Sequence, residues 1–185
     1  MEWTIPGTVL TGPREDAESS IRQIEGMFLA GGIVRSQVSA VTGLESHMIQ
    51  NWVKRGFLSS PVNKRYSLNQ FCRIVTINML RSALPMDKIC SLLTYVSGRL
   101  DDESDDLIDD KTLYFAFLEV AAQFQGLAED REALHQCIEE RLADYREPYP
   151  GAKDRVVQAL TVMIIAWVSS LLRAMAEKRL REMQP

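Results

Sequence analysis

The chain has no charged residue between Arg155 and Arg173, and this run of 17 residues most constrains how it can fold. A helix that is apolar all round must be covered all round, by a helical bundle, by a dimer interface or by lipid. The run is at the lower limit of the roughly 17–25 residues of a membrane span, and Gln158 and Thr161 dilute it. We therefore expect a last helix, from Ala152 to about Glu182, that is buried in a bundle and also joins two copies of the chain.

Apolar residues recur at three- and four-residue spacing along most of the remaining sequence, which is the spacing of helix faces. The pattern predicts helices over 14–30, 36–42, 45–55, 67–83, 86–96 and from 111 onwards, with Ser36 and Ser67 as N-caps. No sustained alternation of apolar and polar residues predicts a sheet. The predicted fold is all-α, with at most a short wing hairpin at residues 61–66.

Changes in composition and turn residues divide the chain into four predicted segments. Residues 1–32 supply a helix that packs on a head formed by residues 33–100. Residues 101–110 are an acidic linker, and residues 111–185 form a helical regulatory and dimerisation domain.

The net charge of −4 hides a strong segregation of charge. Nine basic and only two acidic residues lie between Ile33 and Leu100, whereas seven of the ten residues from Asp101 to Asp110 are acidic. A basic module attracts a polyanion whatever the charge of the whole chain. The head is therefore a candidate nucleic-acid binder, and the acidic tract is interpreted as a solvated linker behind it.

The head contains two short predicted helices separated by Gly43, the arrangement that lays a second helix in the major groove of DNA. Ser39 is the small residue expected before such a turn. The spacing of four apolar residues predicts the core shared by the two helices: Val38, Leu44, Ile49 and Trp52.

With that core turned inward, the second helix presents polar residues on its opposite face. Asparagine and glutamine suit the adenine edge, so we predict base contacts for His47, Gln50 and Asn51. Phosphate contacts are predicted for the neighbouring cations and for the wing. These residues are Lys54, Arg55, Lys64, Arg65 and Tyr66.

Several stretches resemble the winged helix-turn-helix head of MerR-type regulators: Leu44–Leu58, Lys64–Ser67, Arg73–Ile74 and Met86–Ile89. The chain is still more similar to a bacterial family known only as a domain of unknown function, with which it shares Ile49–Gly56, Asp105–Asp110 and the pair Leu113–Tyr114. The resemblance covers about residues 21–124 and implies a DNA-binding fold with a role in transcription. It implies that His47 and Gln50 stand where MerR-type proteins have DNA-contacting arginines, and that Lys64 and Arg65 lie in the wing.

An enzyme is not expected, because the sequence has no glycine-rich phosphate loop after a strand and no nucleophile elbow. Three scattered cysteines and two histidines offer no metal site, and we predict no cofactor. Aromatic residues at helical spacing predict a core and leave a small-molecule effector as an open alternative. They are Tyr114, Phe115, Phe117, Phe124 and Trp167.

Together these patterns predict a cytoplasmic, sequence-specific DNA-binding transcriptional regulator. Its expected partners are double-stranded DNA and a second copy of the chain, bound through the C-terminal helices. The alternative is a helical protein–protein interaction module or a membrane-associated module that has lost DNA binding.

Overall fold

The computed structural model describes residues 2–100, 105–123 and 131–183. Within these ranges it has eight helices and two antiparallel two-stranded sheets, which confirms the predicted all-α class. In chain order the elements are β1 (Glu2–Thr4), β2 (Thr11–Pro13), α1 (Ala17–Gly26), β3 (Ile33–Val34), α2 (Arg35–Thr42), α3 (Ser46–Lys54), β4 (Arg65–Tyr66), α4 (Leu68–Leu80), α5 (Met86–Ser97), α6 (Asp110–Gln123), α7 (Arg131–Arg141) and α8 (Ala152–Glu182).

Side-chain hydrogen bonds explain where several helices begin. Ser67 caps α4 as predicted, since its Oγ accepts from the backbone N–H of Gln70 at 3.1 Å and the Gln70 side chain accepts from the Ser67 N–H at 3.0 Å. The predicted cap at Ser36 is wrong, because α2 already begins at Arg35. α1 starts later than predicted, after Asp16, whose Oδ1 accepts from the N–H of Ser19 at 2.8 Å.

An N-terminal hairpin, which the sequence patterns did not predict, ties the first residues to the core. β1 pairs with β2 so that Trp3 faces Gly12. The loop between them is held by the Tyr114 hydroxyl, which donates to the Pro6 carbonyl at 2.6 Å, and by the Asn78 amide, which donates to the Gly7 carbonyl at 2.9 Å. This segment therefore contacts both α4 and α6.

The central helix of the molecule is α6, which packs against α1, α4, α7 and α8. Every residue from Leu113 to Leu118 is buried. The ring of Phe117 meets that of Trp167 edge-on with centroids 5.8 Å apart. The predicted aromatic core is thus confirmed for Tyr114, Phe115, Phe117 and Trp167, while Phe124 lies outside the described residues. The head and the C-terminal helices share one continuous core.

The acidic tract is not a solvated linker at its C-terminal end. Residues 101–104 lie outside the described ranges, but Leu107 and Ile108 are buried and the N–H of Leu107 donates to the Val96 carbonyl at 2.8 Å. Asp110 is buried as well and forms an ion pair with Arg73. The interpretation missed this because charge density alone does not reveal a carboxylate that has a buried partner.

The bundle covers only the first part of α8, and the expected second copy of the chain is left to cover the last residues of the uncharged run. The buried residues of α8 extend from Ala152 to Trp167, whereas residues 171–183 are all exposed. By length and composition α8 is able to cross a membrane, and 33% of its most apolar window is buried inside the protein. The exposed part continues the helix beyond the bundle.

Candidate nucleic-acid interface

α2 and α3 form a helix-turn-helix unit whose core is the predicted one. Val38, Leu44, Ile49 and Trp52 are all buried. Gly43 closes α2 with φ of 70°, a left-handed conformation that glycine adopts without strain, and its N–H donates to the Ser39 carbonyl at 2.9 Å.

The predicted outer face of α3 is exposed. We call the four residues His47, Gln50, Asn51 and Lys54 the outer stripe, and each of them is open to solvent. The side chains of Gln50, Asn51 and Lys54 make no hydrogen bond or ion pair with the part of the chain that the structure describes. The fourth, His47, has its Nδ1 3.1 Å from an oxygen of Glu45. Three of the four polar groups are therefore free to bind a ligand.

Arg55 follows the outer stripe and is held in place by an aromatic ring. Its guanidinium carbon lies 4.7 Å from the centroid of the Phe57 ring, a cation–π contact. The side chain remains exposed, so the guanidinium keeps its hydrogen-bond donors for an anion.

The wing is a tight two-residue turn. Asn63 and Lys64 have φ of 49° and 62°, and the N–H of Arg65 donates to the Val62 carbonyl at 2.9 Å. Positive φ at both central residues is the geometry of a type I′ hairpin turn. Lys64 lies at the tip and makes no ion pair with the described residues.

The strand that leaves the turn pairs with a partner that was not predicted. Val62 forms only an isolated bridge to Arg65, whereas β4 pairs with β3, so that Ile33 faces Tyr66 and Val34 faces Arg65. β4 has only two residues and is followed almost at once by α4, so it shows no alternation of apolar and polar residues that would mark a strand. Its pairing with β3 could therefore not be found from the sequence.

Two of the predicted wing residues have structural roles. The guanidinium of Arg65 is exposed but donates to the Gly32 carbonyl at 2.8 Å, which fastens β4 to the chain before β3. Tyr66 is only 3% exposed, so its ring packs inside the protein, and its contact with phosphate stays a prediction that only the hydroxyl could fulfil. Its ring belongs to the core, and the residue also lines a pocket between the wing and α2.

The interface carries no sign of a metal centre. Within residues 2–100, 105–123 and 131–183, no three histidine, cysteine or acidic side chains lie close enough together to hold a metal ion. All three cysteines are free thiols.

Comparisons with known proteins give a family and one relative. A family model described as a domain of unknown function (DUF1836) matches residues 32–117, in agreement with the expected likeness to such a family. The chain is also 25% identical over 149 residues to the uncharacterized protein YkrK of Bacillus subtilis (strain 168). That match covers 75% of this chain and 64% of YkrK, so the chain spans less than two thirds of its relative. No solved structure matches. The likeness to MerR-type heads stays a prediction.

Proposed function

We propose that this protein binds duplex DNA as a homodimeric transcription regulator, with α3 in the major groove and the wing on the phosphate backbone. The observation that carries the proposal is the outer stripe: Gln50, Asn51 and Lys54 are exposed on one face of α3 and are unpaired within the described residues. Amide side chains at such positions suit adenine edges. The MerR-type likeness of the head supports the same docking.

The charges beside the outer stripe support phosphate binding. Lys54 and Arg55 end α3, and Lys64 occupies the tip of the wing. Each cation that neutralises a phosphate releases counterions, so the affinity falls as salt rises, with a log–log slope near −0.9 per phosphate. A salt series therefore measures how many of these cations reach DNA.

The test uses the full chain and a fluorescently labelled random-sequence duplex, with binding followed by anisotropy over a salt series. The double variant Lys54→Gln/Lys64→Asn removes two charges, and asparagine tolerates the left-handed backbone at position 64. We expect the salt slope to become shallower by about 2. The double change Arg22→Gln/Lys178→Gln removes equal charge from α1 and α8 and is expected to leave binding unchanged. Failure of the wild-type chain to bind duplex would overturn the proposal, as would equal binding by both double variants.

The exposed end of α8 supports the dimer. Its buried face includes Val156, Leu160 and Trp167, whereas Leu172 and Met183, which are 58% and 79% exposed, lie on the opposite side of the helix at about 100° per residue. One helix thus carries apolar residues on two faces, and the second face has no partner among the described residues.

A second copy of α8 fits this face when the two helices run antiparallel and cross at the level of Ala174. A residue a given number of positions before Ala174 then lies opposite the residue the same number of positions after it. In that register Leu172 lies opposite Ala176, Ile165 opposite Met183, and Arg179 opposite Ser169. Large side chains thereby meet smaller or flexible ones, and the arginine meets a hydroxyl. Such a pairing has two-fold symmetry, which a closed dimer requires. The two heads of the dimer would then bind two half-sites.

A further inference from the structure

A surface pocket lies where the first turns of α2 and α3 meet the wing. Arg35 and Ser36 of α2, Ser46 of α3 and Lys64 of the wing line it, and the buried Tyr66 contributes its floor. Its volume of about 500 Å³ is ample for a phosphate group. Two cations and three hydroxyls thus surround one cavity, and the Ser46 hydroxyl also shares a hydrogen bond with that of Ser39 at 3.1 Å.

The N-cap residues of α2 and α3 leave helix N–H groups open at this pocket. Val34 precedes α2 and Glu45 precedes α3, and neither side chain accepts a hydrogen bond from its helix, although the Gln37 side chain accepts from the Val34 N–H at 2.9 Å. The Glu45 carboxylate instead contacts His47 at 3.1 Å. The first N–H groups of a helix have no partners inside it and attract anions. An anion in the pocket would therefore face both helix starts.

The tyrosine at the floor adds a donor to the pocket. Tyr66 is 3% exposed, and its hydroxyl makes no hydrogen bond with the described residues and is not sealed from solvent. Burial raises the pKa of Tyr66, so the hydroxyl keeps its proton at neutral pH. It is available as a donor to an anion held by Arg35 and Lys64.

We propose that this pocket binds a phosphate group through the charges of Arg35 and Lys64 and the hydroxyl of Tyr66, with Ser36 and Ser46 as further donors. The proposal rests on the proposed function in one respect, namely that the phosphate belongs to the DNA backbone beside α3. Arg35, Ser36 and Ser46 are then binding residues that the sequence patterns did not single out.

The first test measures duplex binding by single variants. Tyr66→Phe keeps the buried ring and removes only the hydroxyl, so we expect about tenfold weaker binding with an unchanged salt slope. Arg35→Gln removes a charge at the surface and should make the slope shallower by about 0.9. Arg22→Gln, an equal charge change on α1, serves as the control. If the wild type binds duplex and both pocket variants bind it as tightly as the wild type does, the pocket proposal is overturned while DNA binding stands.

The second test needs no DNA. Amide NMR of the full chain is followed while dimethyl phosphate, a model of the DNA diester, or inorganic phosphate is added. Saturable shifts at Arg35, Ser36 and Ser46 that are lost in Tyr66→Phe support the pocket. If inorganic phosphate saturates the pocket but dimethyl phosphate does not, and the wild type does not bind duplex, the pocket is a phosphate site. In that case the phosphate it binds does not belong to the DNA backbone. The absence of shifts with either compound would overturn the phosphate site itself.

Discussion

The guanidinium of Arg73 and the carboxylate of Asp110 form a buried ion pair, in which Nη1 donates to Oδ1 at 3.1 Å and to Oδ2 at 3.2 Å. The same guanidinium donates through Nε to the Phe57 carbonyl at 3.0 Å, just beyond the end of α3. One side chain of α4 thus connects the α3 end of the head to the first residue of α6. This contact is therefore one link between the head and the bundle, beside the core that the two share.

Replacing Asp110 by asparagine is expected to destabilise the protein by about 3 kcal/mol, because Arg73 would remain as a buried cation without a counter-charge. Urea denaturation of the full chain measures the free energy of unfolding. The double variant Arg73→Met/Asp110→Asn should lose less than the sum of the two single variants, since no unpaired charge remains. Additive losses would show that the two groups are not coupled.

Gly7→Ala is expected to cost about 2 kcal/mol or more. Gly7 has φ of 79°, and a Cβ there would lie 2.2 Å from the carbonyl oxygen of Val75 on α4. Gly31→Ala is a matched control, because Gly31 has φ of 85° with nothing within 4 Å of the added carbon, so only the backbone strain of about 1 kcal/mol applies. Equal losses of unfolding free energy in the two variants would show that the N-terminal loop does not pack on α4 as described.

The sequence predicted those parts of the fold that local patterns determine. The bounds of α3, the Ser67 cap and the buried set around Ile49 follow from helical periodicity and from the competition of serine for backbone N–H groups. The exposure of Gln50 and Asn51 follows from the same periodicity, because residues opposite a buried stripe face outward.

Features that depend on tertiary contacts could not be predicted in this way. The pairing of β3 with β4 joins residues more than 30 positions apart, and each strand is only two residues long. The burial of Tyr66 depends on that pairing, since an aromatic next to two cations is otherwise typical of an exposed wing. The Arg73–Asp110 pair joins α4 to α6 across the predicted boundary between the head and its linker.

Under the proposed docking, Asn51→Ala is expected to relax base preference at one position of the site by about 1–3 kcal/mol, because the predicted asparagine–adenine pair is lost while the proposed phosphate contacts are kept. Selection of bound sequences from a random duplex pool, by wild type and variant in parallel, measures the preference. Lys54→Gln is the comparison, since it should weaken binding to all sequences alike. A uniform loss of affinity in Asn51→Ala would contradict its base-reading role.

The cysteines provide a test of the core. Burial raises the pKa of Cys72 well above its usual range, so at pH 8 this thiol carries very little of the reactive thiolate. We expect a thiol reagent such as DTNB to leave Cys72 unmodified in the native protein and to modify all three cysteines after unfolding in guanidinium. Rapid modification of Cys72 in native buffer would show that the packing around α4 is looser than described.

The proposed antiparallel pairing of α8 predicts different effects for two nearby alanines. Ala176 lies on the apolar face that includes Leu172, whereas Ala174 lies about 200° away around the helix, and both are exposed. Ala176→Glu should place a carboxylate opposite Leu172 of the second copy and convert a dimer to a monomer, because a charge facing an apolar side chain loses hydration without gaining a partner. Ala174→Glu adds the same charge and should leave the dimer intact. Light scattering after size-exclusion chromatography measures the mass of each. A monomeric wild type, or dissociation by both variants alike, would rule out this pairing, and a wild type that requires detergent to stay in solution would favour a lipid surface as the occupant of that face.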